Sequence, residues 1–127
     1  EKVFLLGERR DVHRITAAFD IAACSSVAEG FPNVIGEAMS CGIPCVVTDV
    51  GDSAWLVGDS GMVVPPRNHV ALCEAWLKMI EMGSAERRIL GERARKRIED
   101  RFSIQKVAKK YEQLYEEQVH CRYVLFK

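Results

Sequence analysis

Short apolar runs alternate with helical patterns through the first half of the chain, and this alternation constrains the fold more than any other feature. Four runs have the length and composition of buried strands, and they cover residues 3–6, 20–24, 44–48 and 62–64. Helical periodicity separates them at 11–19, 32–41 and 54–57. Strands without polar alternation that are joined by helices are typical of parallel sheets covered on both faces. The sequence therefore predicts an α/β fold, a Rossmann-like parallel sheet flanked by helices.

The second half of the chain is predicted to be helical, over residues 69–82, 85–102 and 103–118. The first of these helices has a broad apolar face, which we expect to be buried, formed by Val70, Leu72, Cys73, Trp76, Leu77 and Ile80. The last helix has an apolar stripe that we expect to point inward, formed by Val107, Tyr111, Leu114 and Tyr115. Helices of this kind would complete the layers around the sheet.

The chain length and the net charge exclude several classes of protein. A chain of 127 residues is the size of one domain, and its 18 basic and 18 acidic residues balance, which argues against a nucleic-acid partner. No apolar run approaches the roughly 20 residues of a transmembrane helix. The chain opens on Glu1 and enters a predicted strand at once, so we expect a piece of a longer protein. Residues 1–118 would form a partial domain, and 119–127 a tail of unknown role.

The number of cysteines, five, is odd, and four of them lie in apolar runs, which does not suggest a disulfide framework. We therefore expect a reducing, cytoplasmic location, and attachment to the inner face of the membrane stays open for a longer enzyme. Cys41 and Cys45 have a spacing that could supply half of a metal site, but no second Cys/His pair lies near them in sequence. No metal site is predicted.

Candidate chemistry centres on the loop after the second predicted strand and the helix that begins at Pro32. Ligands of parallel sheets sit beyond the carboxyl ends of the strands, and the free amides of a helix N-terminus favour an anion there. Glu29 precedes this helix and Glu37 lies within it, and carboxylates accept hydrogen bonds from hydroxyls. A nucleotide-sugar has hydroxyls on both sides of a diphosphate. On spacing alone, Glu29 could equally cap the helix and Glu37 could be a surface residue.

The segment from Glu29 to Asp49 resembles the E-x7-E region of retaining family 4 glycosyltransferases, which have the GT-B fold. The resemblance extends from Val3 to about Gln118. Its other motifs are Phe-Leu-Leu-Gly at 4–7, the strand at Asp20, Gly-Ile-Pro-Cys-Val-Val-Thr-Asp at 42–49, Gly51, Asp59, Gly61, Val-Val-Pro-Pro at 63–66 and Phe-Ser at 102–103. It implies a partial C-terminal GT-B domain that lacks its first strands, from a hexosyltransferase that transfers sugar from a nucleotide-sugar to an acceptor hydroxyl.

The resemblance also implies roles for individual residues. Glu29 would contact hydroxyls of the donor sugar and is the candidate catalytic residue. Glu37 would hold the ribose hydroxyls. The segment between them would bind the rest of the donor, with Gly30, Phe31 and Pro32 along the sugar and the amides of Asn33 and Val34 facing the diphosphate. GT-B enzymes usually need no metal, so no cofactor is implied beyond the nucleotide-sugar substrate, and the acceptor is unknown.

Several features depart from that family pattern. Ser25 stands where many relatives have Pro, and Asp52-Ser53-Ala54-Trp55 replaces a Gly-rich segment, so Trp55 could wall a sugar pocket or pack the turn. No Lys, Arg or His occurs between Arg14 and Arg67, and the family's basic pair and acceptor domain are absent from this chain.

We therefore expect the chain alone to be inactive and to bind donor weakly. An apolar sheet edge left unpaired should make it self-associate, which light scattering on dilution would test. The alternative is a non-enzymatic α/β nucleotide-binding or interaction module.

Overall fold

A computed structural model describes the backbone of residues 3–125 and the side chains of residues 3–119. Along the chain the elements are α1 Val12–Thr16, β1 Ala22–Cys24, α2 Asn33–Ser40, β2 Cys45–Thr48, α3 Ser53–Val57, β3 Gly61–Val64, α4 His69–Glu81, α5 Gly83–Arg101 and α6 Ile104–Leu125. No helix in this part of the chain has the length and apolar character needed to cross a bilayer.

The sheet has three parallel strands in the order β1-β2-β3. Ala22 pairs with Cys45, and Cys45 pairs in turn with Gly61, so the strands begin in register. All four residues of the central strand β2 are buried, which agrees with its uninterrupted apolar sequence. Because the strands are parallel, their carboxyl ends meet at one edge. The predicted α/β class with a parallel sheet is confirmed.

Helices cover the two faces of the sheet with separate apolar clusters. Ile35, Met39, Leu56 and Val57 pack on one face with Cys45 and Val47 of β2. The buried cluster on the other face is smaller, with Val46 and Val64 packed on Ala75 and Met79 of α4 and surrounded by partly buried apolar residues. The core is therefore centred on β2 and on the first half of the chain.

The predicted strand at residues 3–6 is wrong. Residues 3–9 form neither helix nor strand, and the side chains of Phe4 and Leu5 are 81% and 96% exposed. A strand is stabilised by hydrogen bonds to a neighbour, so an apolar run without one has no reason to order as a strand. Within the described residues, no strand pairs with the free edge of β1. Self-association through this edge stays a prediction.

The predicted inward faces of the long helices also need correction. In α4 the buried residues are Ala75 and Met79, whereas Trp76, Leu77 and Ile80 are about half exposed. In α6 the side chains of Tyr111, Leu114 and Tyr115 are exposed. The periodicity correctly predicts the helices, but the three-stranded sheet offers too little surface to cover every apolar stripe.

Helix α5 makes two close contacts with other elements, one with the turn between α2 and β2 and one with the end of α3. Buried Gly91 lies against the backbone of Gly42, in the turn between α2 and β2, where a Cβ atom would overlap the Gly42 carbonyl oxygen. Six residues further on, the Arg97 guanidinium donates to the carbonyl oxygens of Leu56, at 2.8 Å, and Trp55, at 2.5 Å. These bonds satisfy carbonyl groups at the end of α3, which the short helix cannot satisfy itself.

Cys45 is a core residue. Its thiol is buried, it lies 3.4 Å from the carbonyl oxygen of Ile43, and burial raises the pKa of Cys45 from 9.0 to about 12. Cys41 is only half buried, and its sulfur lies 4.0 Å from the carbonyl oxygen of His13. Among the described residues, no three His, Cys, Asp or Glu side chains cluster as metal ligands.

The raised pKa of Cys45 predicts a loss of stability at alkaline pH. Above pH 9 the unfolded chain loses the thiol proton and the folded chain keeps it, so ionisation favours unfolding until the pH passes the folded pKa. We expect the free energy of unfolding to fall by about 1 kcal/mol more between pH 8 and pH 10 in the native sequence than in Cys45→Ala. Urea unfolding followed by circular dichroism measures this difference. Cys73→Ala, which removes an exposed thiol, is the control, and equal falls in all three proteins would contradict the prediction.

Candidate functional site

Glu29 lies in the loop that leaves the carboxyl end of β1, and its carboxylate is half buried. The hydroxyl of Ser26 donates to Glu29 Oε1 at 2.7 Å, and the thiol of Cys24 lies 3.8 Å from the same oxygen. The Cys24 sulfur is also 3.2 Å from the Ser26 hydroxyl. One carboxylate oxygen is therefore held in place, and the other has no intramolecular hydrogen bond among the described residues.

Thr48 connects this loop to the central strand. Its hydroxyl is buried at the end of β2 and donates to the carbonyl oxygen of Ser26 at 2.6 Å. The position of Ser26, and through it that of Glu29, is thereby tied to the most buried strand of the sheet. Fixing a side chain through a second layer of hydrogen bonds is how proteins orient groups that bind ligands.

Gly51 supports the same loop from the other side. Its φ is +51°, and a Cβ atom there would collide with the carbonyl oxygens of Glu29 and Gly30. The amide of Asp52 donates to the Gly30 carbonyl oxygen at 2.9 Å. The loop after β2 therefore packs backbone against backbone on the loop after β1, which only glycine permits at this distance.

Helix α2 begins directly after this loop, with buried Pro32 as its N-cap residue. Two of the amides predicted to meet the donor differ in availability. The Asn33 amide donates to the Phe31 carbonyl oxygen at 3.0 Å, whereas the Val34 amide has no acceptor among the described residues. The amides of Gly30 and Phe31 are likewise without such an acceptor. These free donors and the helix dipole favour a negative group in front of α2.

Glu37 is exposed on α2 and lines an open cleft of about 270 Å³. Asn33 and Ser40 lie on the same helix face, and Phe102 and Ile98 form the opposite wall. Glu29 does not line this cleft. The structure therefore brings Glu29 to the start of α2 and places Glu37 further along that helix, in a separate depression with polar groups on one side.

Three aromatic rings form a cluster beside the same cleft. The ring centroids of Trp55 and Phe102 are 4.8 Å apart, and Phe31 lies 5.9 Å from Phe102 and 6.4 Å from Trp55. Trp55 therefore packs on the α5–α6 junction while remaining about half exposed. Contact between Phe102 and this region was not predicted, because Phe102 is far along the chain from Phe31 and Trp55.

A second cleft of about 240 Å³ opens where the parallel strands end. Its walls come from Ser25 after β1, Thr48 at the end of β2 and the segment that joins β3 to α4. That segment contributes Arg67 and Asn68, and His69 is the first residue of α4. Asn68 caps α4 by accepting from the Ala71 amide at 3.0 Å. Sequence analysis did not single out Arg67.

Comparisons with known proteins agree on one family. The family model described as glycosyl transferases group 1 matches residues 1–82, well over half of the chain. Over 117 residues, or 91% of this chain, the sequence is 29% identical to N-acetyl-alpha-D-glucosaminyl L-malate synthase of Bacillus anthracis. It is 28% identical over the same share to UDP-Gal:alpha-D-GlcNAc-diphosphoundecaprenol alpha-1,3-galactosyltransferase of Escherichia coli. The chain spans 30% of the length of each of these relatives.

A solved structure supports the same assignment of the fold. Sucrose-phosphate synthase from Thermosynechococcus elongatus superposes with a TM-score of 0.75 and 30% sequence identity. The match covers 84% of this chain and 27% of that protein. The α/β arrangement described above is therefore that of part of a GT-B glycosyltransferase.

Proposed function

The chain belongs to the glycosyl transferases group 1 family, and from this we propose that it forms part of the donor site of a retaining glycosyltransferase. In this proposal Glu29 meets hydroxyls of the donor sugar, and Glu37 holds those of the ribose. Gly30, Phe31 and Pro32 line the sugar, while the amides at Asn33 and Val34 face the diphosphate. The reaction moves a sugar from the nucleotide-sugar to an acceptor hydroxyl with retention of configuration.

The observation that carries this proposal is the support given to Glu29. A 2.7 Å hydrogen bond from Ser26 fixes one carboxylate oxygen, and Thr48 anchors Ser26 in turn. A carboxylate that is held at the carboxyl edge of a parallel sheet, beside free helix amides, can accept hydrogen bonds from a sugar without prior rearrangement. Binding in this way would orient the anomeric carbon for transfer.

The free amides at the start of α2 would supply the second part of the mechanism. As the bond between sugar and diphosphate breaks, negative charge grows on the leaving phosphate. Amides such as that of Val34, aimed at this charge in advance, stabilise the transition state more than the ground state. No step of this proposal uses a metal ion, and the acceptor would be bound by a part of the enzyme outside these contacts.

Donor binding by this chain alone should be weak. The segment from residue 15 to residue 66 carries six carboxylates and no basic residue, and a helix N-terminus contributes only about 0.3–2 kcal/mol to holding an anion. We expect a Kd for UDP or GDP in the millimolar range, which corresponds to roughly −4 kcal/mol. We also expect no sugar transfer above a boiled control from the 127-residue chain.

Substitution of the two glutamates tests the proposal in a longer enzyme that contains this chain. Glu37→Ala should mainly raise KM, because a ribose contact persists from ground state to transition state. Glu29→Ala should lower kcat as well, because the sugar changes charge and shape during transfer. Steady-state kinetics with the natural donor measures both effects, and Glu112→Ala, an exposed change on α6, is the matched control. Values of kcat/KM within about twofold of the native enzyme for both substitutions would refute these roles.

The cellular setting is part of the same proposal. Cys24, Cys41, Cys45 and Cys73 are free thiols in the structure, which suits a reducing compartment. We propose the cytoplasm, where nucleotide-sugars would be the small-molecule partner. The balanced net charge gives no reason to add a nucleic acid to the partners.

A further inference from the structure

The cleft at the carboxyl edge of the sheet contains basic groups beside the strand ends. Arg67 is the first Lys, Arg or His after Arg14, and it follows β3 directly through Pro65 and Pro66. His69 comes two residues later and lines the same cleft. Because the strands are parallel, Arg67 and His69, which follow β3, lie at the carboxyl edge of the sheet, where ligands of such sheets bind.

The charge in the cleft is not neutralised. None of the residues that line it is acidic, and neither Arg67 nor His69 belongs to an ion pair among the described residues. The amides of His69 and Val70, at the start of the 13-residue helix α4, have no acceptor among those residues either. Guanidinium, imidazole and free amides are all hydrogen-bond donors, so the cleft favours an anion with several acceptor oxygens.

The backbone at Arg67 is unusual in a way that points to this cleft. Its φ is +58°, and it is the one residue other than glycine with a positive φ in the described part of the chain. Such a conformation costs about 1–2 kcal/mol for a side chain with a Cβ atom, and residues strained in this way cluster at active and ligand-binding sites.

We propose that this cleft binds a phosphate group, with Arg67 as its principal contact and His69 as a second donor. Ser25 lines the same cleft, whereas the Thr48 hydroxyl already donates to the carbonyl oxygen of Ser26. Two sources share this chemistry, namely the diphosphate of the nucleotide-sugar and a phosphate carried by another molecule. The inference rests on the proposed function for the first source alone.

NMR titration of the 15N-labelled 127-residue chain tests the proposal with three probes at constant ionic strength. The probes are orthophosphate, UDP and uridine. Orthophosphate should shift the amide signals of Arg67, His69 and Val70 in a saturable way, and uridine should leave them unchanged. Arg67→Gly should weaken phosphate binding about tenfold, because it removes the charge from a turn that glycine adopts readily. Arg67→Lys, which keeps the charge, should weaken it less, and Arg101→Ala, an exposed control, should not weaken it.

The titration with UDP tests the phosphate cleft and the proposed donor site independently. Shifts from UDP at both 33–37 and 67–70 would identify the donor diphosphate as the source of the phosphate. Shifts from orthophosphate alone at 67–70 would support the cleft and count against donor binding by this chain. Shifts from UDP confined to 33–37, with no shift from orthophosphate at 67–70, would uphold the donor site and overturn the inference. Unchanged phosphate affinity in a folded Arg67→Gly chain, as judged by its thermal unfolding, would overturn it as well.

Discussion

Gly91→Ala is expected to destabilise this chain by about 3 kcal/mol or more. The new Cβ atom would overlap the carbonyl oxygen of Gly42, lie 2.8 Å from its carbonyl carbon and touch Pro44 at 3.4 Å. Because the atoms of Gly42 are backbone, no side-chain rotation relieves the collision. Helix α5 would have to move away from the turn between α2 and β2, which would open the apolar cluster that it covers.

Gly36→Ala is the matched control for this prediction. Gly36 also lies inside a helix, α2, but nothing comes within 4 Å of the Cβ atom that alanine would add. Removing a glycine from a helix should therefore stabilise the chain by up to about 1 kcal/mol. Urea unfolding followed by circular dichroism measures both changes. A loss below about 1 kcal/mol for Gly91→Ala would show that the α5 contact tolerates a larger residue.

Gly51→Ala should disturb the candidate site as well as the fold. Alanine at a φ of +51° costs about 1–2 kcal/mol. Its Cβ atom would also collide with the carbonyl oxygens of Glu29 and Gly30. Relief requires a shift of the Glu29 loop, which would break the 2.7 Å bond from Ser26. We expect a loss of roughly 2–4 kcal/mol in stability and at least a tenfold weaker response to UDP.

Gly83→Ala distinguishes the cost of a positive φ from the cost of a Cβ collision. Gly83 has a φ of +79°, yet no atom lies within 4 Å of the Cβ position, so this change carries the conformational cost without the collision. It lies at the start of α5, away from Glu29. Its stability loss should stay near 1–2 kcal/mol, and its UDP titration should match that of the native chain. Equal effects of the two substitutions on UDP binding would mean that Gly51 does not position the Glu29 loop.

The elements that sequence analysis predicted correctly are those defined by neighbouring residues. Apolar runs around Ala22, Cys45 and Met62 became the three strands, and helical periodicity predicted the bounds of the helices in the described chain to within three residues. The exception is the end of α6, which was predicted at residue 118 and lies at Leu125, so that most of the predicted tail is helical. Proline favours the start of a helix through its fixed φ and missing amide hydrogen, and α2 begins one residue after the predicted position, with Pro32 as its N-cap residue. The placement of Glu29 before the helix and of Glu37 within it was also predicted, because both depend only on where α2 begins.

The contacts that build the site were not predictable in the same way. Ser26 and Glu29 are three residues apart, but their bond depends on a loop shape that Thr48, at the end of β2, and Gly51, in the loop after β2, impose. Phe102 joins Phe31 and Trp55 only because α5 returns across α2. Arg67 lies at the strand ends because β3 pairs in parallel with β2.

The sequence alone determined the α/β class, the three strands and the position of the candidate loop, because periodicity and turn chemistry act over a few residues. The tertiary structure decided which apolar stripes are buried. Val3 to Leu6 did not become a strand, and Trp76 and Tyr111 remain exposed. A strand needs a neighbour for its hydrogen bonds, and a helix face needs a surface to cover. Both depend on how much of the chain comes together in space, which local pattern does not encode.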